Sequence, residues 1–237
     1  MQEGSAIIVG VGPALGAALV RRFAQGGLRV AMAARHPDKL RDLAGEVAHT
    51  GGVASAYACD ATREADVQSL FRAAETDLGP VQVAIFNAGA FEPGSMLDID
   101  AADFERCWRV GCYGGFLVGR EAARLMAPRE SGTILFTGAT AALRGGSGFA
   151  NLAVPKFGLR ALSQSMAREL GPKGIHVAHV VIDGQILSQR HVELARERPE
   201  DGLLAPHAIA ESYWHLHQQH RSAWTQELDL RPWVERF

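Results

Sequence analysis

The feature that most constrains this chain is an alternation of short, almost continuously apolar runs with longer segments of helical period. Strands that are apolar at every position must be covered on both faces, as they are in a parallel sheet. Strand followed by helix, repeated five times, predicts right-handed crossovers and an α/β fold: one domain, residues 1–237, with a doubly wound parallel sheet. The predicted strands are Ala6–Val11, Arg29–Ala33, Ala54–Ala58, Gln82–Phe86, Thr133–Phe136 and His176–Ile182. The predicted helices are Leu15–Gln25, Pro37–His49, Glu64–Leu78, Ala102–Met126 and Val154–Leu170.

The pattern changes after Ile182. Residues 185–202 are charged and polar without an apolar stripe, whereas Pro206–Gln219 is predicted to be a helix and Trp224–Leu230 a last strand. This insertion follows a strand at its carboxyl end, which is where open α/β sheets bind their ligands. A substrate lid over about residues 185–220 and a solvated connector both remain open.

Composition and charge narrow the function classes. Lys plus Arg number 24 and Asp plus Glu 26, which gives a net charge of −2. A chain with this charge does not attract nucleic acid or an anionic membrane through its overall electrostatic field. No apolar run reaches the ~18 residues of a membrane span, and the first residues lack a basic leader. Three cysteines without metal-ligand spacing favour a reducing compartment. We therefore expect a soluble, cytoplasmic protein.

A glycine-rich turn follows the first strand. Gly10 allows a tight turn, while Gly12 and the small Ala14 let the backbone approach a pyrophosphate. Gly16 permits close packing of the next helix, which begins at Leu15 and offers free N–H groups at its N-terminus. Because the turn follows a strand and opens a helix, it predicts a dinucleotide site.

The ends of the next strands refine this prediction. No carboxylate stands at the end of the second strand to bind a ribose diol, and Arg35 there suits a 2′-phosphate, which predicts NADP(H) in preference to NAD(H). Asp60, followed by Ala61, can accept a hydrogen bond from the adenine amino group. The small residues Asn87-Ala88-Gly89 let adenine and ribose lie against the backbone.

Together these residues resemble the short-chain dehydrogenase/reductase (SDR) family over about residues 5–184. The family's glycine motif has the form T-G-x-x-x-G-x-G, in which Val9 here replaces the Thr and Ala14 the middle Gly. Asp60 matches the family's adenine-binding Asp, and Asn87-Ala88-Gly89 matches the end of its N-N-A-G motif.

Residues 153–162 match the segment around the family's active-site Lys, here Lys156. The resemblance implies a Rossmann-like fold, bound NADP(H), Lys156 on the nicotinamide ribose, and a homodimer or homotetramer formed through the long helices and last strand. The predicted cofactor-binding residues are Gly10, Gly12, Ala14, Leu15, Gly16, Arg35, Asp60, Ala61, Asn87, Ala88, Gly89 and Lys156.

The sequence departs from the family at the positions of the family's catalytic residues. The position four residues before Lys156, where the family carries its acid/base Tyr, is Leu152, and Phe149 occupies the alternative Tyr position of enoyl-reducing relatives. Ala139 stands at the substrate-binding Ser and Gly111 at the Asn of the water relay. Because the departures concentrate at the site and spare the fold, the site has changed its task or lost it.

Other polar groups remain near the predicted nicotinamide end. Thr140 can bind a carbonyl oxygen and Asp183 can act as acid or base, so the predicted catalytic residues are Lys156, Thr140 and Asp183, with turn capping open as their alternative role. His179 lies mid-strand, where a hydrogen-bonded core histidine is the favoured interpretation. Thr137, which follows the fifth strand, and Ser147 and Asn151, which precede the next helix, complete this set.

Two functions remain open from the sequence. The first is an NADP(H)-dependent oxidoreductase acting on a small carbonyl or alcohol, or on an activated double bond, with a non-standard active site. The second is a catalytically silent NADP(H)-binding protein that acts as a sensor or partner subunit. A non-redox enzyme on the same fold is a third alternative, because fold does not determine function.

The C-terminal part is aromatic. Tyr213-Trp214, Trp233 and Phe237 resemble interface or lid residues, whereas ordinary packing is the favoured interpretation for Trp224. The histidines at 215, 217 and 220 have helical spacing for one pair only, so they are interpreted as a polar helix face with no metal site.

Overall fold

The computed structural model of the chain describes residues 4–235, and its centre is a sheet of seven parallel strands in the order β3-β2-β1-β4-β5-β6-β7. The order reverses between β1 and β4, and this reversal opens a crevice at the carboxyl ends of the strands, where doubly wound sheets bind ligands. The strands are β1 Ser5–Val9, β2 Arg29–Ala34, β3 Ala54–Ala58, β4 Val81–Phe86, β5 Gly132–Thr137, β6 Ile175–Ile182 and β7 Glu227–Leu230. This confirms the predicted fold class and all seven predicted strands.

Helices cover both faces of the sheet, each over its own apolar core. Alternate residues of a strand point to opposite faces, so Ile8 joins the core beneath α1, α2 and α8, and Ile7 joins the core beneath α3, α5 and α6. The helices are α1 Leu15–Gln25, α2 Arg41–His49, α3 Glu64–Leu78, α4 Ala101–Trp108, α5 Gly114–Met126, α6 Ala150–Leu170, α7 Val192–Glu197 and α8 Pro206–Gln218.

Several predicted boundaries are wrong. The predicted helix 102–126 is interrupted by a π-helical turn at Arg109–Tyr113, where a β-carbon on Gly111 would lie 3.0 Å from the Pro155 side chain. Helix α6 begins at Ala150 rather than Val154, so Asn151 lies inside it. The last strand begins at Glu227, because Gln219 accepts a hydrogen bond from the Thr225 backbone and holds the preceding segment out of the sheet.

The C-terminal aromatics also differ from expectation. Tyr213 is fully buried against the sheet, where its hydroxyl lies 2.8 Å from Thr137 Oγ1, so it is neither a lid nor an interface residue. His217 likewise faces inward, with Nδ1 3.0 Å from Thr133 Oγ1, and is not part of a polar helix face. Trp233 is 73% exposed, and Phe237 lies outside the described residues. No helix within residues 4–235 is long and apolar enough to cross a membrane.

Candidate cofactor and active site

The glycine-rich turn at the end of β1 is built by close backbone contacts. Gly10 has a φ of +91°, and a β-carbon there would lie 2.5 Å from the backbone nitrogen of Ala88. A β-carbon on Gly16 would lie 2.8 Å from the Val11 α-carbon, so α1 packs directly on the turn. At Gly12, by contrast, a β-carbon would meet no atom within 4 Å. Gly10 and Gly16 are therefore required by packing, while ligand contact at Gly12 stays a prediction.

Asn87 ties the end of β4 to this turn. Its backbone N–H donates to Val9 O at 2.8 Å, and its side-chain Nδ2 donates to Gly10 O at 3.0 Å. Both bonds connect neighbouring strands across the crevice. The sequence predicted a surface for adenine and ribose here, and the structure adds that the Asn87 amide holds the turn in shape.

A cavity of about 1140 Å³ runs along the carboxyl ends of these strands. Of the predicted cofactor residues, Ala14 lines a neighbouring cavity, and Leu15 and Gly16 are buried at the start of α1, where only their backbone faces the turn. Eight of the predicted cofactor residues line the large cavity: Gly10, Gly12, Arg35, Asp60, Ala61, Asn87, Ala88 and Gly89.

Sequence reasoning missed five cations that also line this cavity. Four of them lie on α1, on the short 3-10 turn before α2, on the π-helical turn and in the insertion after β6, where no motif marks them. They are Arg21, Lys39, Arg109 and Arg190, and a fifth, Arg106, lies on α4.

Asp60 and Arg35 form the polar end of the cavity. Asp60 Oδ1 accepts hydrogen bonds from the backbone and the hydroxyl of Thr62, at 2.9 and 2.8 Å. Burial raises the pKa of Asp60, but these bonds and the nearby charges of Arg35 and Arg63 outweigh it and hold the pKa below its ordinary value. Arg35 is exposed, and within residues 4–235 no carboxylate lies within ion-pair distance of it. The guanidinium is therefore available to an anionic ligand.

Lys156 lies at the other end of the crevice. Its ammonium donates to Thr137 O at 2.6 Å, and a β-carbon on Gly89 would lie 4.0 Å from Nζ, so the lysine sits between the ends of β4 and β5. Only 7% of the residue is exposed, and burial lowers the pKa of Lys156 to about 8. Such a lysine carries its proton at neutral pH and gives it up readily.

Thr140 and Asp183 meet in the structure. Thr140 Oγ1 donates to Asp183 Oδ1 at 2.6 Å, and Asp183 is 6% exposed at the end of β6. Arg231 lies 3.5 Å from the other carboxylate oxygen, and the Asp183 backbone donates to Leu230 O at 2.8 Å. The strand end and the arginine hold the carboxylate in place, and the carboxylate orients the threonine hydroxyl.

The other polar candidates do not reach the site. The Thr137 hydroxyl is hydrogen-bonded to Tyr213, the buried Asn151 donates to Glu92 O at 2.9 Å, and Ser147 is exposed on its loop. His179 is fully buried, and a β-carbon on Gly138 would lie 2.4 Å from its ring, so the loop after β5 rests on the imidazole.

The electrostatics of His179 follow from that burial. Burial lowers the pKa of His179 to about 4, against the raising effect of Glu227, whose Oε2 lies 3.3 Å from Nδ1. The predicted core location is correct. Of the predicted hydrogen bond the structure shows one contact, between Nδ1 and Glu227, and within residues 4–235 Nε2 has no hydrogen-bond partner.

The positions predicted to have lost the family's acid/base groups carry small or apolar residues. Leu152 and Ala139 are half-buried, and Gly111 is buried against Pro155. A longer side chain at 111 therefore requires Pro155 to move. For proton transfer the structure brings together one threonine–aspartate pair, and it places one buried lysine at the end of β5.

Comparisons with known proteins agree with this architecture. The family model described as short chain dehydrogenase matches residues 5–197. A protein named (21S)-21-acetoxyl-apo-melianone synthase SDR, from Melia azedarach, is 36% identical over 73% of this chain and 63% of its own length. The 3-oxoacyl-(acyl-carrier-protein) reductase of Bos taurus is 30% identical over 79% of this chain and 76% of its own length. The chain thus spans less than two thirds of the plant relative.

Two solved structures extend over nearly the whole chain. A short-chain dehydrogenase from Rhodopseudomonas palustris has a TM-score of 0.87 at 41% identity, covering 98% of this chain and 100% of its own. A metagenomic short-chain oxidoreductase in complex with NADP has a TM-score of 0.84 at 25% identity, covering 98% and 99%.

Proposed function

Because this chain belongs to the short-chain dehydrogenase/reductase family, a family of oxidoreductases, we propose that it is an NADP(H)-dependent oxidoreductase with a non-standard active site. Its substrate is a small carbonyl or alcohol, or an activated double bond. The observation that carries the proposal is Arg35, which follows β2 and lines the cavity without a carboxylate partner among residues 4–235. A carboxylate is needed at this position to bind the free ribose of NAD(H). The relative solved with NADP supports the same cofactor.

The residues of the crevice fit this dinucleotide from end to end. Arg35 binds the 2′-phosphate, Asp60 accepts from adenine, and Gly12 leaves open space beside the N-terminus of α1 for the pyrophosphate. Lys156 holds the nicotinamide ribose next to Gly89. When bound, NADP(H) exchanges hydride with the substrate.

In this proposal Thr140 and Asp183 transfer the proton to and from the substrate oxygen. In the oxidation direction, a substrate hydroxyl donates to Thr140 Oγ1 while Thr140 passes its own proton to Asp183 along the 2.6 Å hydrogen bond. In the reduction direction, Asp183 returns the proton through Thr140 to the substrate oxygen. The positive charge of Lys156 favours the oxyanion that forms during either reaction.

The test is NADPH consumption, followed by its absorbance, with a panel of aldehydes, ketones, β-keto esters and α,β-unsaturated ketones. We expect turnover with part of the panel and its loss in Lys156→Met. Activity that is equal in wild type and Lys156→Met would contradict the assigned site. Absence of turnover across the whole panel, with NADPH bound, favours the second function.

That second function is a catalytically silent NADP(H)-binding sensor or partner subunit. It is favoured by one observation: the three substituted positions, Leu152, Ala139 and Gly111, present no titratable group, and Gly111 packs against Pro155. The double variant Leu152→Tyr with Ala139→Ser discriminates the two. Turnover only in the double variant supports a silent binding protein, whereas turnover in the wild type supports the enzyme.

We also propose that the protein is a homodimer or homotetramer. Trp108, Phe116 and Phe157 on the long helices are 38%, 37% and 43% exposed, and Trp233 near the C-terminus is 73% exposed. Exposed large apolar groups are typical of surfaces that a partner covers. Sedimentation at micromolar protein is expected to show a dimer or larger species, and a monomer would contradict this.

A further inference from the structure

Arg190 reaches the cofactor cavity from outside the sheet. It belongs to the insertion after β6, residues 185–202, and lines the same cavity as Gly12 and Pro13 of the glycine-rich turn. No dinucleotide motif includes this position. The preceding Ser188 and Gln189 line a second cavity together with Pro13 and Ala14, so the insertion lies beside the turn.

The insertion presents Arg190 on a fixed support. A short 3-10 turn, Gln189–His191, carries the arginine, and His191 Nδ1 lies 2.9 Å from Ile186 O and 3.2 Å from Ser188 Oγ. Ile186 pairs in turn with Leu204 through a parallel bridge, flanked by two backbone hydrogen bonds of 2.9 Å. The backbone of Arg190 is therefore anchored, while its exposed side chain is free to move.

Arg190 also differs from most other arginines of the cavity in having no carboxylate partner among residues 4–235. Arg21, Arg106 and Arg109 line the cavity too, but each has a carboxylate within ion-pair distance. Within the described range 4–235 no carboxylate stands within that distance of Arg190. Arg190 and Arg35 are thus the two cavity arginines whose charge the described part of the chain leaves unbalanced.

We propose that the Arg190 side chain, held on the anchored insertion, binds the pyrophosphate of the dinucleotide. This inference rests on the proposed NADP(H) function. The glycine-rich turn supplies N–H groups, but Pro13 supplies none, and the first turn of α1 carries no cation. A guanidinium matches the geometry of phosphate oxygens with two parallel hydrogen bonds. Arg35 then binds the 2′-phosphate of the dinucleotide, and Arg190 binds its pyrophosphate.

Two ligands separate these roles, since NADPH carries both phosphate groups and 2′-AMP carries only the 2′-phosphate. We expect Arg190→Ala to weaken NADPH binding by about tenfold or more, the range of a charge-assisted hydrogen bond, and to leave 2′-AMP binding unchanged. Arg35→Ala weakens both ligands. The matched control is Arg196→Ala on the same insertion, where the arginine is exposed and paired with Glu193 at 2.8 Å; it leaves both affinities unchanged.

Calorimetry with NADPH, and displacement of NADPH by 2′-AMP, measure these affinities on the full chain. Unchanged NADPH affinity in Arg190→Ala overturns the inference alone. Equal weakening of NADPH and 2′-AMP also overturns it, because Arg190 then acts at the adenosine end. Failure of the wild type to bind NADPH is a different result, which overturns the proposed function and with it this inference.

Discussion

The two ends of the crevice are constructed differently. At the cofactor end, Gly10, Gly16 and Asn87 are fixed by backbone contacts of the turn, so the residue type is dictated by the fold itself. At the end proposed to be catalytic, Leu152 and Ala139 are half-buried side chains. The comparison shows that the two ends differ in how freely their residues can be replaced: a half-buried side chain can change without disturbing the sheet, whereas a glycine in contact with neighbouring backbone cannot.

The largest expected effect comes from breaking the cofactor end. Gly10→Ala places a β-carbon 2.5 Å from the Ala88 nitrogen at a φ of +91° and is expected to lower the free energy of unfolding. The expected loss is at least about 3 kcal/mol in urea denaturation, from strain and overpacking together. Gly12→Ala is the matched control, because its β-carbon enters open space; it keeps the stability and lowers only NADPH affinity. Equal stability of both variants would contradict the comparison.

Acid tests the buried histidines of the core, of which His179 lies beneath the loop after β5 and His217 contacts Thr133 at the start of β5. Burial lowers the pKa of His179 and of His217 from 6.5 to about 4 in each case. For His179 the opposing charge of Glu227 is smaller, and Lys156 lowers the pKa further. Below pH 6.5 the unfolded chain takes up protons that the folded chain refuses, so stability falls as the pH drops toward 4. At pH 5 the expected loss is about 2 kcal/mol for each histidine.

Urea denaturation between pH 7 and 4.5 measures this loss. His217→Gln is expected to reduce the slope of stability against pH, and His215→Gln, an exposed position on the same helix, leaves it unchanged. A slope that is the same in all three proteins would show that His217 does not contribute to the acid sensitivity.

The threonine–aspartate pair gives the third effect. Asp183→Asn retains the shape of the side chain but cannot take the Thr140 proton, so turnover is expected to fall by about 10²-fold while NADPH affinity stays the same. Thr140→Val is expected to match it, and Thr140→Ser to retain most of the activity. Full activity in Thr140→Val would remove this pair from the mechanism.

The smallest effect on stability is expected for substitutions that introduce the family's Tyr and Ser at the proposed active site. Leu152→Tyr and Ala139→Ser change half-buried side chains, and each is expected to alter the free energy of unfolding by less than about 1 kcal/mol. Thermal or urea denaturation checks this. A loss as large as that of Gly10→Ala would mean that the catalytic end also supports the fold.

The sequence predicted what depends on local pattern. Continuous apolar runs identified the strands, and the ends of α1 and α3 were predicted to the residue, because each helix has a clear apolar face and adjoins glycine. Gly10 and Gly16 were assigned their conformational roles correctly, since a tight turn between strand and helix leaves few alternatives.

What the sequence did not predict depends on contacts between distant segments. The inward face of His217 follows from Thr133, far away along the chain, and the Thr140–Asp183 hydrogen bond follows from the packing of two loops. Arg190 carries no motif, and only the folded insertion brings it to the cavity. Helix α6 begins at Ala150, before the predicted Val154, and continues through Pro155, a residue type that is more common in the first turn of a helix.

The most direct test of the cofactor assignment is a calorimetric titration of wild type and Arg35→Ala with NADPH and with NADH. We predict that wild type prefers NADPH, and that Arg35→Ala loses about tenfold or more of its NADPH affinity while its NADH affinity barely changes. Equal binding of the two dinucleotides, with neither affected by the substitution, would contradict the assignment of the cavity to NADP(H).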